Sequence, residues 1–238
     1  LREASYFTES YSPYQDSDTE DLVMADLGNL IPYPSRFLKM KEQFDSLSKK
    51  IGKKKLITIG GEHSISICPI DHYLKEYPNM LLIHLDAHAD LRDGYLDDPY
   101  SHASVMFRSQ ELMNKDQNLW QYGIRSGTRV EFDWMKKHKT RFDSLNSFLE
   151  SLSQVDKKRP IYLSLDLDFF DPSEFPGTGT PEAGGETFHN FIKFIKILRE
   201  KNFIGADIVE LSPLLDASGN SSIYAAKVTR EIILALTN

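Results

Sequence analysis

Three side chains able to hold a metal alternate over residues 86–90, where Asp86, His88 and Asp90 are separated by Ala87 and Ala89. An extended or gently curving segment points alternate side chains the same way, so the three can converge. The small alanines leave the opposite side open to neighbouring backbone. An apolar run, LLIHL at 81–85, leads in, and a polar loop over 91–102 leads out, as expected at an active-site edge. Read alone, this triplet is as consistent with helix capping or surface ion pairs as with metal binding. The rest of the chain decides it. Asp166 and Asp168 close a second apolar run, PIYLSL at 160–165, and share its face. Two carboxylates there repel each other and are costly to desolvate unless a cation lies between them. His63, in GGEHS at 60–64, and Glu210, near the end of 204–211, complete the set.

All four signals fall at or just past the carboxyl end of a predicted strand, where open parallel sheets bind their ligands. The candidate ligands His63, Asp86, His88, Asp90, Asp166 and Asp168 exceed what one tetrahedral ion needs and suit two ions sharing bridging carboxylates. An oxygen-rich set without thiolate favours manganese, with iron, cobalt, nickel or zinc able to replace it in vitro. Such a pair can hold a bridging hydroxide, which attacks an electrophilic carbon or phosphorus at neutral pH.

The elements that must position these residues follow from apolar, β-branched runs alternating with longer amphipathic stretches, the pattern of a mostly parallel α/β sheet. Strands are predicted over 22–26, 56–59 (buried), 81–86, 119–124, 160–165 and 204–211. Helices are predicted over 33–51, 64–77, 105–113, 130–138, 142–155, 188–199 and 224–237, with another already under way at the start of the chain. His63 lies at a strand-to-helix junction, and the Gly60-Gly61 pair would let backbone pass close to whatever it touches. The Gly/Pro-dense stretch 176–185 is read as a shaped wall beside the site, and the lysines at 53–55 as a solvated turn.

The 238 residues suffice for one large domain, and no linker divides them. At 40% hydrophobic and 26% charged residues the composition is that of a soluble globular protein, with no membrane-length apolar run and no secretory signal; a cytoplasmic location is expected. Cys68 is the sole cysteine, which excludes an internal disulfide or a cysteine metal cage. A net charge of −7 argues against a nucleic-acid partner and is compatible with a cationic ligand.

Several separate motifs in the same order, LREAS at 1–5, GGEHS at 60–64, DAHAD at 86–90, SLDLDFFDPSEFPGTGTPEAGG at 164–185 and DIVELSP at 207–213, resemble the ureohydrolase (arginase/agmatinase) family. The likeness runs through nearly the whole chain, and is loose over 114–121 and 139–158. It implies a three-layer α/β/α fold with a mostly parallel sheet, assembled as a homotrimer or homohexamer, and two Mn2+ ions per subunit. Position by position it implies that His63, Asp86, Asp90 and Asp166 hold one ion and Asp86, His88, Asp166 and Asp168 the other, with Asp86 and Asp166 bridging. Glu210 matches the family's carboxylate for the substrate guanidinium, and His102, in YSHAS, its acid or proton shuttle. YLDDPYSHAS at 95–104 looks like the agmatinase branch, and Arg92 stands where arginases place an asparagine. The implied reaction is cleavage of agmatine to putrescine and urea. Guanidinobutyrase, arginase and formimidoylglutamase are the competing activities, and a non-catalytic ligand-binding relative is the other class. The family's first strand, with its Gly-Pro loop, is expected to be missing from the sequence given.

Other residues take plainer readings. His84 shares a strand face with Asp86 and could support that ligand, but is read as a packed or hydrogen-bonded core histidine, and His72, His138 and His189 as surface residues. Asp171 is read as a turn former, Glu62 as a local hydrogen-bond acceptor, and Glu174 and Glu182 as pocket-rim residues. Arg125 is left between a subunit contact and the core.

Overall fold

Near-continuous apolar runs in the central strands require cover on both faces of the sheet, and the chain supplies it with two helical layers. The structure is a computed structural model that describes residues 1–32 and 37–237. One helical turn, α1 (Arg2–Ser5), precedes a two-stranded ribbon of β1 (Tyr11–Ser12) and β2 (Ser17–Asp18). Then come α2 (Phe37–Ile51), β3 (Leu56–Ile59), α3 (Ile67–Glu76), β4 (Leu81–Leu85), α4 (Val105–Leu112) and β5 (Asn118–Tyr122). The chain finishes with α5 (Arg129–His138), β6 (Arg141–Phe142), α6 (Leu145–Gln154), β7 (Pro160–Asp166), α7 (Phe188–Leu198), β8 (Asn202–Val209) and α8 (Asn220–Leu236).

The main sheet has the order β3-β8-β7-β4-β5-β6, and every pairing in it is parallel. Leu81, Ile83 and Leu85 of β4, with Ile161, Leu163 and Leu165 of β7, face Phe148, Phe194 and Ile232 from α6, α7 and α8. Leu82 and Tyr162 point the other way, to Ile70, Val105 and Met135 from α3, α4 and α5. This alternation produces the three-layer α/β/α arrangement. Burying a Leu or Phe side chain contributes roughly 1.5–3 kcal/mol, so the two clusters hold the layers together.

A bulge breaks the alternation once. Ile161 pairs with Phe203 while Tyr162 pairs with Gly205, so β8 carries one extra residue. From there Ser164 faces Asp207, and on the other side of β7 it faces His84, which in turn faces Gln121. A polar row, Asp207-Ser164-His84-Gln121, thus crosses the sheet one step below its carboxyl edge.

Several sequence expectations are corrected. Residues 22–26 are not a strand: Leu22 is extended but unpaired, and Val23 and Met24 are exposed, because no neighbouring strand lies beside them among the described residues. Arg2 instead clamps this stretch through Asp26, Nε to Oδ2 2.6 Å. The start of the chain makes one helical turn and not a long helix, because Ser12 and Gln15 turn inward to Glu231 of α8. β3 is half-buried and not buried, since it is the sheet's edge and Ile59 is 49% exposed. Phe142 lies on β6, with α6 starting at Leu145. Helix α2 starts at Phe37 among the described residues; 33–36 lie outside them. No helix among the described residues is long and apolar enough to cross a membrane.

Candidate metal centre

Strand β3 ends at Ile59, and residues 63–66 form a 3-10 turn capped by Glu62, whose side chain accepts from the Ser64 amide. Gly60 serves this turn: a Cβ there would lie 2.0 Å from Ile65, whereas Gly61 faces open space. Gly60 therefore makes room for the turn that carries His63, and not for a group that His63 touches. His63 is buried, and its Nδ1 stands 2.9 Å from Asp90 Oδ2 and 3.3 Å from Oδ2 of both Asp86 and Asp166.

β4 ends at Leu85, so Asp86, His88 and Asp90 leave the strand and do not alternate along it. Asp86 Oδ1 accepts the His88 amide at 2.6 Å, which curls the segment, and Asp90 adopts a left-handed φ of 54°. That conformation is sparsely populated for a side-chain-bearing residue. It is held by Met106 and Phe107, whose amides at the start of α4 donate to the Asp90 carbonyl. Ala87 and Ala89 behave as expected from their size: backbone of residues 125–126 docks against them, with Arg125 and Ser126 amides on the Ala87 carbonyl.

β7 delivers Asp166 and Asp168. Asp166 Oδ1 caps the short turn 167–169 through the Asp168 amide. Asp168 accepts from the Ala87 amide at 3.0 Å and meets His88 Nδ1 at 2.8 Å. The result is two closely spaced clusters of potential ligands, His63-His84-Asp86-Asp90 and Asp86-His88-Asp168, with Asp86 common to both. All six candidate ligands come together. Asp166 joins through His63, and His84 is a buried, hydrogen-bonded histidine as read, with its Nε2 2.7 Å from Asp86.

The side chains themselves fit a cation. Ser164 Oγ donates to buried Asp207 at 2.7 Å and lies 3.1 Å from His63 Nε2, which leaves that oxygen to accept the Nε2 proton. His63 Nδ1 is then a buried atom without a hydrogen-bond partner, facing three carboxylates. A lone pair aimed at three anions is stable only with a cation between them.

The titration of the cluster says the same. Burial, then the charges of Asp168 and Asp86, push Asp166 well above the usual carboxylate range. Burial and Asp86 raise Asp168 to about 6. Burial opposes a proton on His63, yet the close carboxylates of Asp166, Asp86 and Asp90 together raise its pKa well above that of free imidazole. Each shift answers a concentration of negative charge, which a bound cation would answer equally. The donor set, carboxylates with imidazole, fits divalent ions of the manganese-to-zinc series.

Above the clusters lies a cavity of about 420 Å3, bordered by Glu62, Arg92, His102, Glu131, Thr180 and Glu210 among others. Glu210 follows β8 with a φ of 64°, its amide on the Gly61 carbonyl and its Oε1 accepting the His63 amide at 2.7 Å. His102 Nδ1 is 3.3 Å from Glu62 Oε1, and that hydrogen bond, outweighing burial, raises its pKa. Glu62 is thus the partner of His102. The loop over 176–185 does form a wall: Thr180 Oγ1 reaches Asp168 at 3.3 Å, and the Glu182 carboxylate stands 3.9 Å from His88 Nε2.

The comparisons with known proteins now bear on this geometry. The profile of the Arginase family matches residues 1–235. The chain belongs to the arginase family. This arginase-family chain is 40% identical over 243 aligned residues to an agmatinase of Bacillus subtilis, covering 98% of the chain and 82% of that protein. It is 36% identical to an N(1)-aminopropylagmatine ureohydrolase of Thermococcus kodakarensis, covering 89% of the chain and 74% of the relative. In structure it is similar to the agmatine ureohydrolase of Thermoplasma volcanium, with a TM-score of 0.84 and 28% identity over 99% of this chain and 81% of that one.

Four residues beneath and beside the centre escaped the sequence reading: Gln121, Ser164, Thr180 and Asp207. Asp207 alone left a signal, an acid within the apolar strand GADIV. His72 is half-buried rather than at the surface, its Nε2 on the Gly52 carbonyl. Glu174 is no rim residue: it accepts from the Phe188 amide and from Tyr224, both at 2.8 Å. Asp171 does form a turn, accepting from Ser173, Gly184 and Gly185. Arg125 is half-buried and donates to the carbonyls of Asp168 and Glu182 at 2.7 and 2.8 Å.

Proposed function

We propose that this arginase-family chain is a dinuclear manganese ureohydrolase that cleaves agmatine to putrescine and urea. The observation that carries the reading is the pair of ligand clusters sharing Asp86 on the floor of the cavity that Glu210 and His102 border. His63, Asp86, Asp90 and Asp166 would hold one ion, and Asp86, His88, Asp166 and Asp168 the other. Bound there, two manganese ions supply a water made nucleophilic at neutral pH and positive charge against the developing anion.

The chain's own residues do the rest. A guanidinium carbon is a poor electrophile, so orientation matters as much as attack. Glu210 takes the guanidinium N–H groups in a charge-assisted contact. Its carboxylate is steadied by the His63 amide, so it presents a defined edge. The leaving amine needs a proton, and His102, whose pKa is raised by its hydrogen bond to Glu62, is the residue we assign to give it.

The tail of the substrate is read by charge. The cavity border carries Glu62, Glu131 and Glu210 against one arginine, Arg92, among the described residues. Arg92 lies 3.7 Å from Glu131 and over the Tyr95 ring, 5.0 Å to its centroid. An acidic mouth suits a cationic tail such as that of agmatine. Arg92 is also the observation that favours a second reading, a carboxylate-tailed guanidine such as 4-guanidinobutyrate. The test is urea release by metal-stripped protein, with and without manganese, from agmatine, arginine, 4-guanidinobutyrate and N-aminopropyl agmatine at equal concentration. Manganese-dependent urea chiefly from agmatine supports the proposal. Urea chiefly from another guanidine overturns the substrate, and urea from none overturns the reaction.

A further inference from the structure

The polar row under the carboxylates contains a residue that the reaction does not touch. Gln121 and His84 are both fully buried and stand opposite each other on β5 and β4. Gln121 Nε2 lies 3.0 Å from the Ala89 carbonyl and 3.2 Å from His84 Nδ1, while its Oε1 accepts from Thr140 Oγ1 at 3.0 Å. A carbonyl oxygen can only accept, so Ala89 fixes which end of the amide is the nitrogen. The amide therefore donates to His84 Nδ1. An imidazole whose Nδ1 accepts carries its proton on Nε2, and His84 Nε2 is 2.7 Å from Asp86 Oδ2. Asp86 is the carboxylate shared by both clusters, so whatever sets its orientation sets both.

We propose that Gln121 is a positioning residue: through an amide oriented by Ala89 it fixes the tautomer of His84, which donates to Asp86 and holds that carboxylate for both ions. The inference rests on the reading of Asp86 as a metal ligand. It makes the metal site dependent on strand β5, which supplies no candidate ligand itself. Thr140 belongs to the same device, because its hydroxyl donates to the amide oxygen and so supports the same orientation of the amide.

The test has two readouts. The first is nitrogen NMR of the metal-free protein labelled in histidine, which reports the tautomer at mildly alkaline pH. His84 is expected as Nε2–H in the wild type and as Nδ1–H in Gln121→Glu, where a carboxylate accepts in place of the amide donor. The second is Mn2+ affinity by titration calorimetry, expected to fall about 10- to 100-fold in Gln121→Glu, the usual effect of losing a partner of a metal ligand. His84→Phe should fall likewise, whereas His84→Gln, which can return an N–H near the Nε2 position, should recover most of the affinity. An Nδ1–H tautomer in the wild type overturns the inference, as does unchanged Mn2+ affinity once the tautomer has switched. If Gln121→Glu does not fold, the wild-type tautomer and the two His84 variants decide. A wild type that binds no Mn2+ overturns the metal reading itself, and the NMR result separates that failure from a failure of the relay.

Discussion

At the scale of single residues, the site is governed by carboxylates brought closer than they would tolerate in water. Burial pushes up Asp90, Asp166 and Asp168, while Asp86 stays well below the usual range because the imidazoles of His84, His63 and His88 around it outweigh its burial. One oxyanion thus stays charged while its neighbours hold protons, as expected for a site awaiting divalent charge. The Glu62–His102 contact lies apart from this group and makes a separate prediction. His102 has a raised folded-state pKa, so the stabilisation from its proton is fully present below the unfolded value and is lost as pH rises through the folded one. Glu62→Gln should lower the His102 pKa and move the alkaline limb of the pH–rate profile to lower pH. An NMR titration of His102 beside the rate profile checks both, and an unmoved alkaline limb would remove His102 as the proton donor.

At the scale of elements, strands supply the ligands and the turns after them supply the aim. His63 is set by a 3-10 turn, and Asp90 and Glu210 by left-handed backbone. Each left-handed residue costs of order 1–3 kcal/mol and is restrained by hydrogen bonds from outside its own turn. Far from the site, the β1–β2 ribbon is tied to α8 in a similar way. Glu231 is fully buried and accepts from Ser12, Gln15 and Arg230, the last at 2.6 Å. Removing one partner of a buried ion pair costs about 3–5 kcal/mol. Glu231→Ala should therefore lower unfolding stability by roughly that amount, read as a lower urea midpoint. The manganese affinity of the folded fraction should be unchanged.

At the scale of the whole molecule, the charged floor lies between two apolar clusters, so folding assembles the repulsion and a cation relieves it. A ligand that binds only the folded state stabilises it by about 2.7 kcal/mol at a concentration one hundred times its dissociation constant. Excess Mn2+ should raise the melting temperature accordingly. The gain should shrink as pH falls through about 6, where Asp168 takes up a proton that the ion must displace. Melting curves with Mn2+ and with a chelator across that range check it. A gain independent of pH would mean that the ion binds elsewhere.

What the sequence by itself determined is the chemistry on offer and the layer plan. His63, Asp86, His88, Asp90, Asp166 and Asp168 could be picked out because acids and histidines at the ends of apolar runs have few other uses, and that information is local. The alternation of β-branched and amphipathic stretches likewise reports a parallel sheet from short-range periodicity. Only the tertiary structure decided which atoms meet. Alternation counted from Phe203 would put Asp207 on the Phe203 face, and the bulge in β8 turns it to the opposite one, beneath Ser164. Residues 22–26 look like a strand because they form a short apolar run, yet a strand exists only where another offers its hydrogen bonds. Gln121, His84 and Ala89 form one relay because parallel register sets β5 beside β4 and the turn after β4 folds back over it. Register and reversal are contacts between distant segments, and no local pattern of residues encodes them.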